Sequence, residues 1–289
     1  MQTNNGPFAG RASAANVDAT PGLPANAEIQ QVAFVTGEDA AQTTLMELGG
    51  PRPRRAILLK GAAAQPAADL TLLLVPTDQQ EDPEIVAQVR DWLEPGVPPF
   101  QRRGVLIMLH GARILWSPGR AGLIASPDRL EALRHATIEF SFHDAEIRSI
   151  EEEVARGWPD LEADTPLAFR FDGRAADVLD RLALRFQQVI GLRTRLVRLT
   201  PLIDHPPIHP PTLASQLAER LKERTNLSAR VELVDDQLEV AAEVYEMCGN
   251  RSSEFTIARS QARLEWLIVL LLATETILLL VDLLSATGL

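Results

Sequence analysis

Near its C-terminus the chain carries an apolar run that water does not tolerate on a free-standing element. From Leu264 it reads LEWLIVLLLATETILLLVDLLSATGL. Trp266 to Leu284 spans about 28 Å as a helix, close to the ~30 Å of a hydrocarbon core. Two acids, Glu275 and Asp282, interrupt it. On insertion scales its Leu, Ile and Val side chains contribute about −5 kcal/mol and one central carboxylate returns about +3 kcal/mol. Insertion is then favoured by about 2 kcal/mol. Trp266 stands where an interfacial aromatic belongs, beside Arg263 and Glu265. Arg251, Arg259 and Arg263 precede the run and no basic residue follows it. The positive-inside rule therefore predicts a single-pass membrane anchor at 264–285, with the bulk of the chain on the cytoplasmic side. The alternative is a helix buried in the core of a soluble oligomer. Asp282 lies seven residues beyond Glu275, so both acids share a helix face. A carboxylate at that depth is costly, and this face is expected to meet other copies or a partner helix.

The remainder reads as an ordinary folded body. The chain has 289 residues, of which 46% are hydrophobic and 23% charged, enough for a core without covalent staples. That composition excludes a wholly disordered, collagen-like or multi-span protein. A net charge of −11 makes nucleic acid an unexpected partner. One cysteine, Cys248, excludes an intrachain disulfide and any paired-cysteine zinc or redox site. Residues 1–27 are rich in Asn, Ala, Gly, Pro and Thr. They predict a disordered leader, and they lack the basic and apolar regions of a secretory signal.

Residues 28–166 predict an α+β head. Gln31 to Val35, Ala56 to Leu59, Leu70 to Val75 and Val105 to Leu109 are short apolar runs bounded by Gly, Pro or charge, as strands are. GVLIMLHGARILWS reads as a β-hairpin turning at Gly111. Pro83 to Leu93 has helical spacing, and Ser126-Pro127 opens a second helix with Ser126 as its cap. Thr137 to Phe142 reads as a strand, followed by an acidic helix from His143 to Arg156. Residues 167–263 predict a helical stalk. Ala175, Val178, Leu182, Phe186, Val189, Arg193 and Leu196 follow heptad-like steps. A stiff Pro-rich linker at 204–211 follows, and then Thr212 caps a helix bearing Leu213, Leu217 and Leu221. Val231, Val234, Leu238, Ala241 and Tyr245 form a seam running towards the anchor, expected to be buried against the 175–199 helix or a second copy. Gly249-Asn250 marks a break, kink or helix end. The fold class predicted is α+β: a mixed α/β head, then a helical hairpin or bundle ending in one anchor helix.

The segment from Leu233 to Leu284 resembles the end of the required for meiotic nuclear division protein family. The matching residues are Val234-Asp235-Asp236-Gln237-Leu238-Glu239-Val240, then Arg263-Leu264-Glu265-Trp266, then an apolar run broken by Glu275. Arg102-Arg103-Gly104 leading into the Val105–Trp116 hairpin also looks like the family's strand pair. The family's Ser-His-Ala block has no counterpart at Leu167 to Asp172. The resemblance implies a divergent, bacterial-type member: a membrane-attached protein carrying a domain of unknown function, without established catalysis.

No catalytic motif stands out. The Gly-x-Ser-x-Gly elbow, the phosphate loop and the dinucleotide fingerprint are absent. His205 and His209 have ligand spacing, but the surrounding prolines prevent the helix that would bring them together. His110 has no nucleophile or carboxylate tied to it by spacing, and Ser117 to Gly122 reads as a loop. The acidic run Asp144, Glu146, Glu151, Glu152, Glu153 reads as a solvated helix face. Arg181, Arg185, Arg193, Arg195 and Arg198 read likewise, paired with Asp177 and Asp180. No catalytic residue, metal or cofactor is expected. The predicted function is a membrane-anchored, self-associating scaffold, likewise in need of a protein partner that the sequence does not name. A soluble or peripheral enzyme with an oligomer-core helix is the alternative.

Overall fold

The computed structural model describes residues 23–24, 26–37, 43–50, 53–59, 67–78, 82–96, 104–169, 176–204 and 212–286, with side chains at 176–177, 252, 255–256 and 279–286 left out. The leader at 1–22, the histidines at 205 and 209, and all of the Pro-rich linker beyond Asp204 lie outside the described residues, as does Ala175 of the first seam.

The protein is mixed α+β. Seven strands form one sheet: β1 (Glu28–Val35), β2 (Thr43–Leu48), β3 (Arg54–Leu58), β4 (Leu70–Pro76), β5 (Val105–Leu109), β6 (Ala112–Ser117) and β7 (Arg120–Ala125). Their spatial order is β2-β3-β1-β4-β7-β6-β5. Every neighbouring pair is antiparallel except β4 and β7, which run parallel in the centre. Chain leaving β4 forms helix α1 (Pro83–Leu93), where the Glu84 N–H donates to the Asp82 side chain. Chain leaving β7 forms the 38-residue helix α2 (Pro127–Asp164). Period-two alternation divides the strand residues between the two sheet faces. Leu73, Val75, Leu115 and Ile124 form a core with Val86, Val89 and Leu93 of α1. Val32, Phe34, Leu72, Trp116 and Leu123 share the other core, with α2. Phe142 meets Phe34 edge-on at 5.4 Å, and Trp116 meets Phe140 at 5.1 Å while its indole N–H donates to the Ser141 hydroxyl at 2.9 Å.

The expected hairpin is present: Leu109 pairs with Ala112 across a two-residue turn. His110 and Gly111 both have positive φ, 48° and 86°, as the twist-matched hairpin turn demands. The His110 ring donates from Nε2 to the Gln216 carboxamide oxygen at 2.8 Å and its carbonyl accepts from Arg129, so this histidine is a structural tie.

Three readings are corrected. Thr137 to Phe142 is not a strand but the middle of α2. β-branched and aromatic residues there mimic strand composition because this turn of helix is covered on most sides: Ala136, Thr137, Ile138, Phe140, Ser141, Phe142, His143 and Asp144 are all buried. The Thr137 hydroxyl donates back to the Leu133 carbonyl, which removes the usual objection to threonine inside a helix. Ser117 to Gly122 is not simply a loop. Only Pro118-Gly119 turn, and Arg120 opens β7. Gly249-Asn250 does not end the last helix. After α3 (Ala176–Asp204) and α4 (Leu213–Arg224), helix α5 runs unbroken from Leu227 to Ala286, about 90 Å.

The anchor expectation also changes. Among the described residues no helix is long and apolar enough to cross a membrane. The described side chains of the apolar run on α5 reach Leu278 and include Glu275.

Gly122 sits where α1 crosses β7. A Cβ built there would lie 2.2 Å from Cγ1 of Val89, itself fully buried. Gly122→Ala should lower stability by about 2 kcal/mol, as overpacking does; chemical denaturation reads this, and the paired change Val89→Ala should recover part of the loss.

His143 is buried on α2 and bonds to the Gly49 backbone; burial pushes its pKa down to about 4. It therefore stays neutral in the folded protein at a pH where the unfolded chain takes up a proton. Its contribution is neutral above the unfolded value of about 6.5 and turns against folding as pH falls towards 4. Stability should drop by about 2 kcal/mol between pH 7 and pH 5, and His143→Gln should flatten that slope.

Candidate functional site

Helix α2 carries acids at heptad spacing: Asp144 and Glu151 on one line, and Glu146, Glu153 and Asp160 on another, with Asp164 one turn on. These carboxylates do not form a solvated face. Asp144 and Asp164 retain only 2% and 3% side-chain exposure. Bare carboxylates at such depth are costly, so each is matched with guanidinium groups from other elements.

From α5, Arg230 forks onto Glu151, Nε to Oε1 at 2.8 Å and Nη2 to Oε2 at 2.6 Å, and reaches Asp144 Oδ1 at 2.7 Å. Arg148 closes on the same Asp144. The hydrogen bonds to Glu151, with those to Asp144, raise the Arg230 pKa beyond its already high value. From α3, Arg195 holds Glu153 at 2.7 Å and Glu146 at 3.6 Å, while Arg54 of β3 meets Glu146 from the sheet at 3.1 Å. Arg185 of α3 bonds to Asp160 at 2.7 Å and to Asp164, and Arg181 reaches Asp164 at 3.5 Å. Arg193 turns the other way, 3.8 Å from Asp235 and Glu239 of α5. Of the arginines expected to pair along their own helix, Arg181, Arg185, Arg193 and Arg195 reach other helices, while the Asp177 side chain lies outside the described residues. Of the acidic run, Glu152 remains exposed.

The seam residues of α5 all lie in the body. Val231, Val234, Leu238, Ala241 and Tyr245 are each under 10% exposed. Ala241, Tyr245 and Cys248 share a cluster with Leu161, Val178, Leu182, Phe186 and Val189 from α2 and α3. The Cys248 thiol is buried and donates to the Asp164 carbonyl at 3.8 Å, and burial pushes its pKa up. That disfavours the thiolate and any nucleophilic role. Tyr245 is raised too, by burial first and the neighbouring Asp164 charge second.

Beyond Cys248 the character of α5 changes. Every described side chain from Ile257 to Leu278 is exposed. Trp266 is 74% exposed, and Leu264, Leu267 to Leu272, Ile277 and Leu278 are bare on all sides of the helix. Arg263, Glu265 and Glu275 lie on this bare length, with Glu265 accepting from the Gln261 amide at 3.4 Å. Asp282 lies on the same helix, its side chain outside the described residues. The structure thus separates the two sets of sequence-derived site residues: the seam is interior, and Arg263, Glu265, Trp266 and Glu275 stand free. Among the described residues no group of three or more His, Cys, Asp or Glu is placed to hold a metal.

Sequence reasoning did not single out Arg54, Arg230, Asp160 or Asp164. The heptad spacing of the α2 acids is the signal that finds them, and it is visible only when 127–164 is taken as one helix.

Arg230→Met removes the cation from a pair that includes an almost fully buried carboxylate. It should cost about 3 kcal/mol at pH 7 by chemical denaturation, with Asp144→Asn in the same chain recovering part of it.

No known protein family matches the chain, and comparison with curated proteins finds no match either.

Proposed function

We propose that this protein is a membrane-held assembly scaffold. Its α+β head and charge-locked helices form the working body, and the bare end of α5 is the part that lipid covers. One observation carries the reading. Trp266 to Leu272 is seven consecutive apolar residues, each more than half exposed among the described residues. A helix that is apolar around its whole circumference belongs in a membrane or deep in an assembly, and this stretch presents apolar surface all round. The helix continues to Ala286, so the Trp266–Leu284 run of the sequence lies on one element. Thr274 and Thr276 lie within it, and their hydroxyls donate back to carbonyls of the same helix, Leu270 at 2.6 Å and Leu272 at 2.7 Å. That disposes of two donors which lipid cannot serve. The resemblance of residues 233–284 to the required for meiotic nuclear division family points the same way, and so does the Arg259–Arg263 approach.

Glu275 favours self-association as part of that function. No basic residue lies within the run, so a mid-depth carboxylate finds its partner on another chain.

Carbonate extraction of membranes tests both parts. The full chain should stay in the pellet, and a chain ending at Asn250 should be released. Glu275→Leu should hold more firmly to the membrane, since it removes a cost of about 3 kcal/mol, yet cross-link into fewer multimers. Release of the full chain by carbonate contradicts the membrane reading. Unchanged cross-linking of the leucine variant contradicts the role given to Glu275.

A further inference from the structure

Helix α3 turns its charges inward. Between Ala183 and Val197 its charged side chains are Arg185, Arg193 and Arg195, and each is held in ion pairs with α2 or α5. The side that faces water is left without charge. Ala183, Gln187, Ile190, Thr194 and Val197 recur at alternating steps of four and three, and all are exposed. Val197 is 60% exposed and Ile190 42%, with Leu184 beside them at 56%. The Thr194 hydroxyl donates back to the Ile190 carbonyl at 2.8 Å, which uses up its donor. A water-facing helix side ordinarily carries the charges. A four–three stripe is instead the pattern of a helix that packs against another helix.

The stripe is bounded at its two ends by exposed charges of opposite sign. Asp180 lies two turns before Gln187 and Arg198 one turn after Thr194, so both belong to this face. Neither makes an ion pair among the described residues. The face is close to symmetric about Ile190. Ala183 and Val197 lie seven residues to each side, Gln187 and Thr194 three and four, Asp180 and Arg198 ten and eight. Two such helices laid antiparallel about a two-fold axis at Ile190 bring Ala183 to Val197, Gln187 to Thr194 and Asp180 to Arg198, each twice over. Laid parallel, they set like charge against like charge at both ends. The charges therefore fit a second copy of this chain, reversed.

We propose that two copies of this chain pair antiparallel through α3, with Asp180 of each against Arg198 of the other and Ile190 at the two-fold axis. Within one chain α3 and α5 run antiparallel, since Arg193 meets Asp235 while Leu182 and Phe186 share a cluster with Tyr245 and Cys248. A two-fold that reverses α3 also reverses α5. The apolar ends of a pair then leave in opposite directions, and the pair joins two lipid surfaces. That consequence rests on the membrane reading of α5; the pairing does not. Asp180 to Arg198 is about 27 Å of one helix, a contact smaller than the ~1,600 Å² of a standard interface. The pairing is therefore reversible, and trapping reads it best.

The experiment places Ile190→Cys in the full chain in detergent and follows disulfide-linked dimer under a mild oxidant. The wild type, whose Cys248 is buried, gives the background. Glu219→Cys, exposed on α4, gives the rate of chance collision. Ile190→Cys should link about ten-fold faster than Glu219→Cys. Adding Asp180→Arg sets two like-charged contacts in each pair and should slow linking about five-fold. Adding Arg198→Asp instead should do the same, and both reversals together should restore the rate. Equal rates for Ile190→Cys and Glu219→Cys refute the pairing. Single reversals without effect, or a double reversal that does not restore the rate, refute the antiparallel register. A second measurement mixes two populations of phosphatidylcholine–phosphatidylglycerol vesicles, one carrying a donor lipid and the other an acceptor lipid. The wild type should draw them together, and Asp180→Arg should bind them singly. Vesicles that bind the wild type yet stay apart refute the bridging. Vesicles that do not bind it refute the membrane reading and the bridging with it, while trapping in detergent still decides the pairing.

Discussion

Asp144 lies almost wholly out of water on α2, and a carboxylate in that position persists only with cations fixed around it. Arg148 supplies one from the next turn of the same helix. Arg230 supplies the other from α5, 86 residues away in sequence, and grips Glu151 in the same reach. The same arrangement recurs along α2. Glu146 and Glu153 take Arg195, and Asp160 and Asp164 take Arg185. One long helix that covers the sheet thus also sets where α3 and α5 lie. Apolar packing alone would leave those helices freer to slide, because a Leu–Val seam accepts more than one register. Paired buried charges do not, since a slip strands a carboxylate. The account therefore gives the charges the role of fixing register, and the seam of Val231, Val234 and Leu238 the role of supplying most of the attraction.

Local signals were legible where local chemistry settles the structure. Pro83 opens α1, Thr212 caps α4 through a reciprocal bond with Ser215, and His110-Gly111 turns the hairpin. Each depends on a few adjacent residues. Strand β2 was missed because TTLMEL shows little apolar alternation and has only Leu48 buried, and β7 because Pro118-Gly119 and Gly122 look like loop when read alone. Gly122 is there for α1, through a contact 33 residues distant. Helix α2 was split for a related reason. Its middle is buried against both the sheet and the other helices, so it loses the one-sided pattern that identifies a surface helix.

The functional residues divide in the same way. The α5 seam and the apolar run were readable as patterns along the chain. The arginine–carboxylate pairs were not, because they join segments far apart, and each run taken alone resembles an ordinary solvated face. Nor did Gly249-Asn250 act as the punctuation its residue types imply. The helix passes through it, and this continuity is what gives α5 two consecutive lives, the first inside the body and the second outside it.

That division is the central claim, and hydrogen exchange read by mass spectrometry tests it on the intact chain, with and without lipid bilayers. Amides of 227–248 should be protected to the same degree in both conditions, because α2 and α3 already cover them. Amides of 264–284 should exchange fast without lipid, as bare helix ends do, and become strongly protected with it. Strong protection of 264–284 without lipid at high dilution would contradict the account, and so would a loss of protection at 227–248 when lipid is added.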